Sequence, residues 1–168
     1  REAWKSWGAA YPKTDQFGDS RPLTGRQAFI SVNSNLHTAG LSPLVVPRNA
    51  RVAFPTFVEF GGGITFNAGG AIEEAVIVAD MVAGTPGVMF VLSVAVVSSG
   101  ADFGTAKNKY VQINVSDATS LDGLDIGSEL SALGVTQYNN VYLKVEFIAS
   151  NGQKTSAVTA LMSQSVAP

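Results

Sequence analysis

The apolar positions of this chain fall in short alternating runs rather than long helical stripes, and that alternation predicts strands. The clearest run lies near the end. Val141, Leu143, Val145, Phe147 and Ala149 share one parity, and Tyr142, Lys144, Glu146, Ile148 and Ser150 share the other. Asn151-Gly152 follows. Both residue types tolerate positive φ, as a type I′ turn requires. Gln153 to Ser163 is then expected to return as the partner strand of a closing hairpin.

Further runs read the same way. Arg26 to Val32 is the first candidate strand, and Asn33 to Pro43 has the composition of a loop. Within Val45 to Phe60, the residues Val52, Phe54, Thr56, Val58 and Phe60 alternate with Arg51, Ala53, Pro55, Phe57 and Glu59. Pro55 cannot donate to a ladder, so an edge or a bulge is expected there. Gly61-Gly62-Gly63 reads as a turn. A phosphate loop would need a following helix and a Lys-Ser/Thr pair, and the sequence offers neither. Ile64 to Phe66 and Ala75 to Ala79 are short strands. Val88 to Val97 is an almost continuous apolar run, as in a strand buried on both faces in the middle of a sheet. It is about half the ~20 residues a bilayer helix needs, so no membrane span is expected. No signal-peptide pattern is visible. Lys109 to Val115 alternates again. Ser120 to Leu133 is the one expected helix, with Leu130 and Leu133 facing inward.

Short strands separated by turn signals predict an all-β fold, a single β-sandwich with jelly-roll or immunoglobulin-like connectivity and at most one short helix. The sandwich is expected over residues 26–168. Residues 1–25 read as an extended N-terminal arm, because no apolar period runs through them. The arm nevertheless carries Trp4, Trp7, Tyr11 and Phe17. Trp4 and Trp7 would share one face of a helical turn. Burying one indole is worth roughly 3–5 kcal/mol, so these four residues are the expected anchors of the arm, on its own domain or on a neighbour.

Composition sharpens this picture. Of the 168 residues only 14% are charged, against about 25% in ordinary domains. Such a surface has fewer groups to keep it wet, as suits subunit contacts. There is no cysteine, which excludes disulfides and thiolate chemistry. The charge is also divided. Residues 1–51 hold seven basic and three acidic groups, a net of +4, and residues 52–168 hold four basic and ten acidic ones, a net of −6. Unlike patches suit head-to-tail or arm-exchange contacts between copies. The basic residues are scattered, which argues against nucleic acid as the partner.

Candidate chemistry is sparse. His37 is the single histidine, in a polar stretch with no evident triad around it. Asp117, Asp122 and Asp125, with Asn114 and Glu129 nearby, form the densest acidic group. Oxygen donors of this kind suit calcium, but the EF-hand spacing is missing, and acids at a helix start have a structural use of their own. Asn114-Val115-Ser116 fits the glycosylation pattern and matters only in a glycosylating host.

No catalytic set, metal site or cofactor is therefore expected. The favoured reading is a structural assembly protein, a viral particle subunit (coat, decoration or spike) that self-associates through its N-terminal arm and sheet edges. Its partners would be copies of itself and other particle or filament proteins, and its location the virion. A secreted or surface filament subunit or adhesin is the alternative, with an extracellular location. A carbohydrate-binding module, using the terminal aromatic rings, is the second.

Overall fold

The computed structural model describes residues 1–14, 19–48, 52–101 and 103–167. The chain begins with helix α1 (Glu2–Ala10), a two-residue ribbon of β1 (Lys13–Thr14) and β2 (Ser20–Arg21), and helix α2 (Gly25–Thr38). Strands β3 (Thr56–Phe66), β4 (Ile72–Val82) and β5 (Met89–Ser98) follow, then a short α3 (Phe103–Ala106) and β6 (Val111–Asp117). After α4 (Gly127–Ala132) come β7 (Asn139–Ile148), β8 (Val158–Leu161) and β9 (Ser163–Val166). The fold is mainly β, in two principal sheets. One has the order β4-β3-β9 and the other β6-β5-β7-β8.

The N-terminal third departs from the sequence reading. Arg26 to Val32 is not a strand, and the Asn33 to Pro43 loop begins as helix. Both belong to α2. The physical cause is a capping box: Gln27 N–H donates to Thr24 Oγ1 at 3.3 Å and Thr24 N–H to Gln27 Oε1 at 3.0 Å. Ala28, Val32 and Leu36 then recur at helical spacing and are all buried. Gly40, at φ 66°, ends the helix; its N–H bonds His37 O, and Leu41 N–H bonds Leu36 O. Those two bonds form a Schellman cap.

The described part of residues 1–25 is not an extended arm either. Helix α1 lies against α2, and Trp4, Trp7, Ala28, Val32 and Leu36 form one cluster. A Cβ at Gly8 would fall 3.3 Å from Ala28 Cβ and overlap the Leu23 carbonyl, so two small residues set how closely the helices approach. With four α-helices among the described residues, the expected limit of one helix does not hold. Phe17, the fourth anchor candidate, lies outside the described residues, as does Arg51.

The two sheets share one core. Phe90, Leu92 and Val94 of β5 and Val141, Leu143, Val145 and Phe147 of β7 meet Ile64, Phe66, Ala75, Ile77 and Ala79 of β3 and β4. β5 lies between β6 and β7 and is buried on both faces, as its unbroken apolar run implied. Gly61-Gly62-Gly63 is not a turn but the middle of β3, paired with Val78, Ile77 and Val76. A Cβ at Gly62 would sit 2.9 Å from both Met162 Cε and Val76 O, so this glycine lets the core close over β3. Upstream, a bulge between Phe57 and Glu59 reverses the parity expected from sequence. Phe57 packs on the core beside Phe60 and Phe147, while Val58 is 69% exposed.

The expected helix Ser120 to Leu133 is reduced to a 3-10 turn at Ala118–Ser120 and to α4. Leu130 is buried, but Leu133 caps α4 and is 37% exposed. The segment between them runs along β4. Ile77 N–H bonds Leu124 O, Gly123 N–H bonds Ile77 O, and Ile126 N–H bonds Ala75 O. That pairing covers part of an edge that would otherwise stand open. Finally, β9 pairs with β3 in parallel, whereas both expected connectivities are built of antiparallel sheets.

The closing hairpin is present, with a different turn and a shorter partner strand than Gln153 to Ser163: the ladder with β7 is Val158–Leu161, and Ser163 already belongs to β9 of the other sheet. Gly152 N–H bonds Ala149 O at 2.8 Å and Ala149 N–H bonds Gln153 O at 3.0 Å. Gly152 has φ 77°, and among the described residues no non-glycine residue has positive φ. Asn151 therefore does not adopt the type I′ conformation. The loop is a three-residue turn closed by a glycine bulge. Gly152 also faces α2: a Cβ there would overlap Val32 Cγ1 and lie 2.9 Å from Val32 O. Asn35 Nδ2 donates to Gly152 O at 2.8 Å. Gly152→Ala combines left-handed strain with overpacking and is expected to cost about 2–4 kcal/mol. Chemical denaturation checks this, with Gly70→Ala (φ 81°, no atom within 4 Å) separating the backbone part from the packing part.

Candidate association surface

The tryptophans do not stand out from the chain as an open platform. Trp4 and Trp7 are each 6% exposed, and Trp7 stacks on Tyr11 with centroids 4.6 Å apart. Trp4 and Trp7 are covered by α2, while Tyr11 is half-buried and lines, with an edge of Trp7, a hollow of about 420 Å³.

What the helices present instead is a second, outward patch. Trp4 Nε1 donates to Val45 O at 2.9 Å. Asn33 Nδ2 donates to Leu44 O at 3.1 Å, and Leu44 N–H donates to Asn33 Oδ1 at 2.6 Å. These bonds fix the backbone of residues 44–45 on the helix pair while leaving the next side chains outside. Val45 is 86% exposed and Val46 62%. Phe29, edge-on to Trp4 at 5.3 Å, is 42% exposed. Arg26 lies one helical turn before Phe29, and Arg48 two residues past Val46. Arg26 and Arg48 are exposed, and Arg1, Lys5 and Arg26 line one hollow of about 360 Å³.

A larger cleft, of about 690 Å³, lies on the β body between the β4–β5 connection and the turn after β6. Pro55, Val78, Met81 and Val88 line it, together with Asp80, Asp117 and Asp122. Its walls are held by backbone bonds. Thr85 N–H donates to Ala53 O at 2.6 Å, Ala53 N–H donates to Thr85 Oγ1 at 2.9 Å, and Ala118 N–H donates to Val88 O at 2.9 Å. Asp80 lies directly across the ladder from Glu59, and both are exposed. Like charges placed opposite one another destabilise a sheet, so this rim carries a repulsion that a cation would relieve.

The acidic residues singled out from sequence serve their own backbone. Asp117 Oδ1 accepts from Thr119 N–H at 3.0 Å and from its hydroxyl at 2.7 Å. The backbone bond first, and the hydroxyl second, hold the Asp117 carboxyl below its ordinary range. Asp122 accepts from Ala79 N–H, Asp125 from Gly127 N–H, and Glu129 from the Ser128 hydroxyl. Asn114 sits in β6 opposite Leu92. Among the described residues no three His, Asp or Glu side chains form a group able to hold a metal ion. His37 is exposed in the last turn of α2.

Sequence reasoning selected Trp4, Trp7 and Tyr11 and missed Val45, Val46 and the cleft. The outward Val-Val pair had a signal, an apolar doublet just after Pro43 in a polar stretch. The cleft had none, because its walls come from segments far apart in the chain.

Trp4 and Trp7 differ in one testable way. The Trp4 N–H is bonded, whereas Trp7 Nε1 is buried without a hydrogen-bond partner among the described residues. Trp4→Phe is expected to cost about 1 kcal/mol more than Trp7→Phe in denaturant unfolding, since it also orphans the Val45 carbonyl.

No protein-family model matches this sequence, and neither a curated protein nor a solved structure matches it.

Proposed function

We propose that this chain is a structural assembly subunit, a self-associating β-sandwich building block of a viral particle such as a coat, decoration or spike, located in the virion. The observation that carries this reading is the placement of exposed apolar side chains. Val45, Val46, Val58 and Val82 are each at least 60% exposed, on a chain in which only 14% of residues are charged. Val45 and Val46 are adjacent on the helix pair, and Val58 and Val82 lie near one another on β3 and β4; paired apolar side chains left outside in this way suit an interaction site. Asp117, Asp122, Asp125 and Glu129 each accept from a nearby N–H or hydroxyl, so these carboxylates already serve the fold. Partners are copies of the chain and, with them, other particle proteins.

A filament or adhesin role, with an extracellular location, is the second reading, and β6 favours it. This strand pairs only with β5 among the described strands, and its sequence VQINVSD has neither Pro nor Lys to guard the edge. A neighbour's strand would add there. The arm itself is not available for exchange in the folded chain, since Trp4 and Trp7 are buried on α2.

Light scattering coupled to size-exclusion chromatography tests self-association. Across micromolar concentrations the mass is expected to rise to a multiple of the chain mass. A monomer unchanged over that range would contradict the proposal.

A further inference from the structure

Two surfaces of this chain are opposites in both shape and charge. One is a protrusion, Val45 and Val46 held outward beside Phe29, flanked by Arg26 and Arg48. The other is an apolar cleft of about 690 Å³ floored by Val78, Met81 and Val88, with Asp80 and Asp122 at its rim and Glu59 facing Asp80. We infer that the Val45–Val46 protrusion of one copy seats in the Asp80-rimmed cleft of a second copy. This contact rests on the self-assembly proposed above and names its geometry.

The occupant follows from complementarity. The cleft is apolar inside and acidic outside, so its partner must be apolar at the tip and basic around it. The first 51 residues carry the chain's positive balance and the remainder its negative balance, which is the same division at the scale of the whole chain. Pairing Arg26 or Arg48 with Asp80 would also relieve the Glu59–Asp80 repulsion, a gain realised only when a second copy is present. Because the two surfaces differ, the contact is heterologous. Repeated, it closes into a ring or extends as an open array, as particle building requires.

The test exploits this head-to-tail character. A donor-reversed protein carries Arg26→Glu and Arg48→Glu, and an acceptor-reversed protein carries Glu59→Arg and Asp80→Arg. All four positions are exposed. Each protein alone sets like against like, and its half-assembly concentration in sedimentation velocity is expected to rise by about tenfold or more. Mixed in equal amounts, each donor meets an acceptor of opposite sign, so assembly returns toward the wild-type midpoint. A neutral variant, Val45→Ser with Val46→Ser, is expected to weaken assembly without changing charge. Wild-type assembly that is unaffected by either reversal, or a mixture that stays as dissociated as its components, would overturn this contact. A wild-type protein that stays monomeric would instead remove the assembly reading on which it rests.

Discussion

The contact between Gly152 and Val32 joins the two parts of this molecule, and the rest of its geometry depends on it. The closing turn of the β7 hairpin presents a backbone with no side chain, and α2 fills that space with a valine. Asn35 adds a hydrogen bond to the same glycine's carbonyl. Without that approach the helix pair would stand off the sheets, and the clusters that continue the joint would lose a wall. Ala39 and Leu41, just past the end of α2, pack with Val91 and Ile148 on the outer face of the β5–β7 sheet. The segment after α2 thus covers one end of the sheet's second face, Ala106 of α3 with Tyr110 and Tyr142 packs on Ala95 and Val97 at the other, and β5 is buried on both sides because of the two together.

A second constraint acts inside the body. β3 must run beneath Met162 and Leu143, and only a glycine at position 62 leaves room. Its neighbours Gly61 and Gly63 face outward, with open space at Gly61. A strand floored by glycine on both faces is thin, and that thinness sets how closely the two sheets approach. The chain then passes from β8 in one sheet to β9 in the other through the single residue Met162, which is buried. Corner and glycine therefore meet at the same point of the core.

These constraints explain what was legible in the sequence. The run Val141 to Ala149 was readable because its core-facing parity is wholly buried while Tyr142, Lys144 and Glu146 on the other are half-buried, so parity survives translation into structure, although Ile148 on that second face is buried as well. β5 was readable from its β-branched content and length. α2 was obscured because Ile30-Ser31-Val32 imitates a strand locally, although the Thr24–Gln27 capping box stood in view. The three glycines were misread because close packing, not a turn, is their reason. For the candidate surface, the aromatic residues were visible but their role was not. Burial of Trp4 and Trp7 depends on α2, and the exposure of Val45 depends on a bond from Trp4. Neither pairing is written in local spacing.

The central claim is that unlike surfaces of successive copies meet, and proximity between copies tests it most directly. The chain has no cysteine, so introduced thiols report without background. Val46→Cys protein is mixed with Val78→Cys protein and oxidised, beside a control mixture in which the second thiol is at the exposed Val166 of β9. The account predicts a mixed disulfide dimer from the Val46 and Val78 pair, well above the control. Equal cross-linking in both mixtures, or none from the Val46 and Val78 pair under conditions where the wild type assembles, would contradict it.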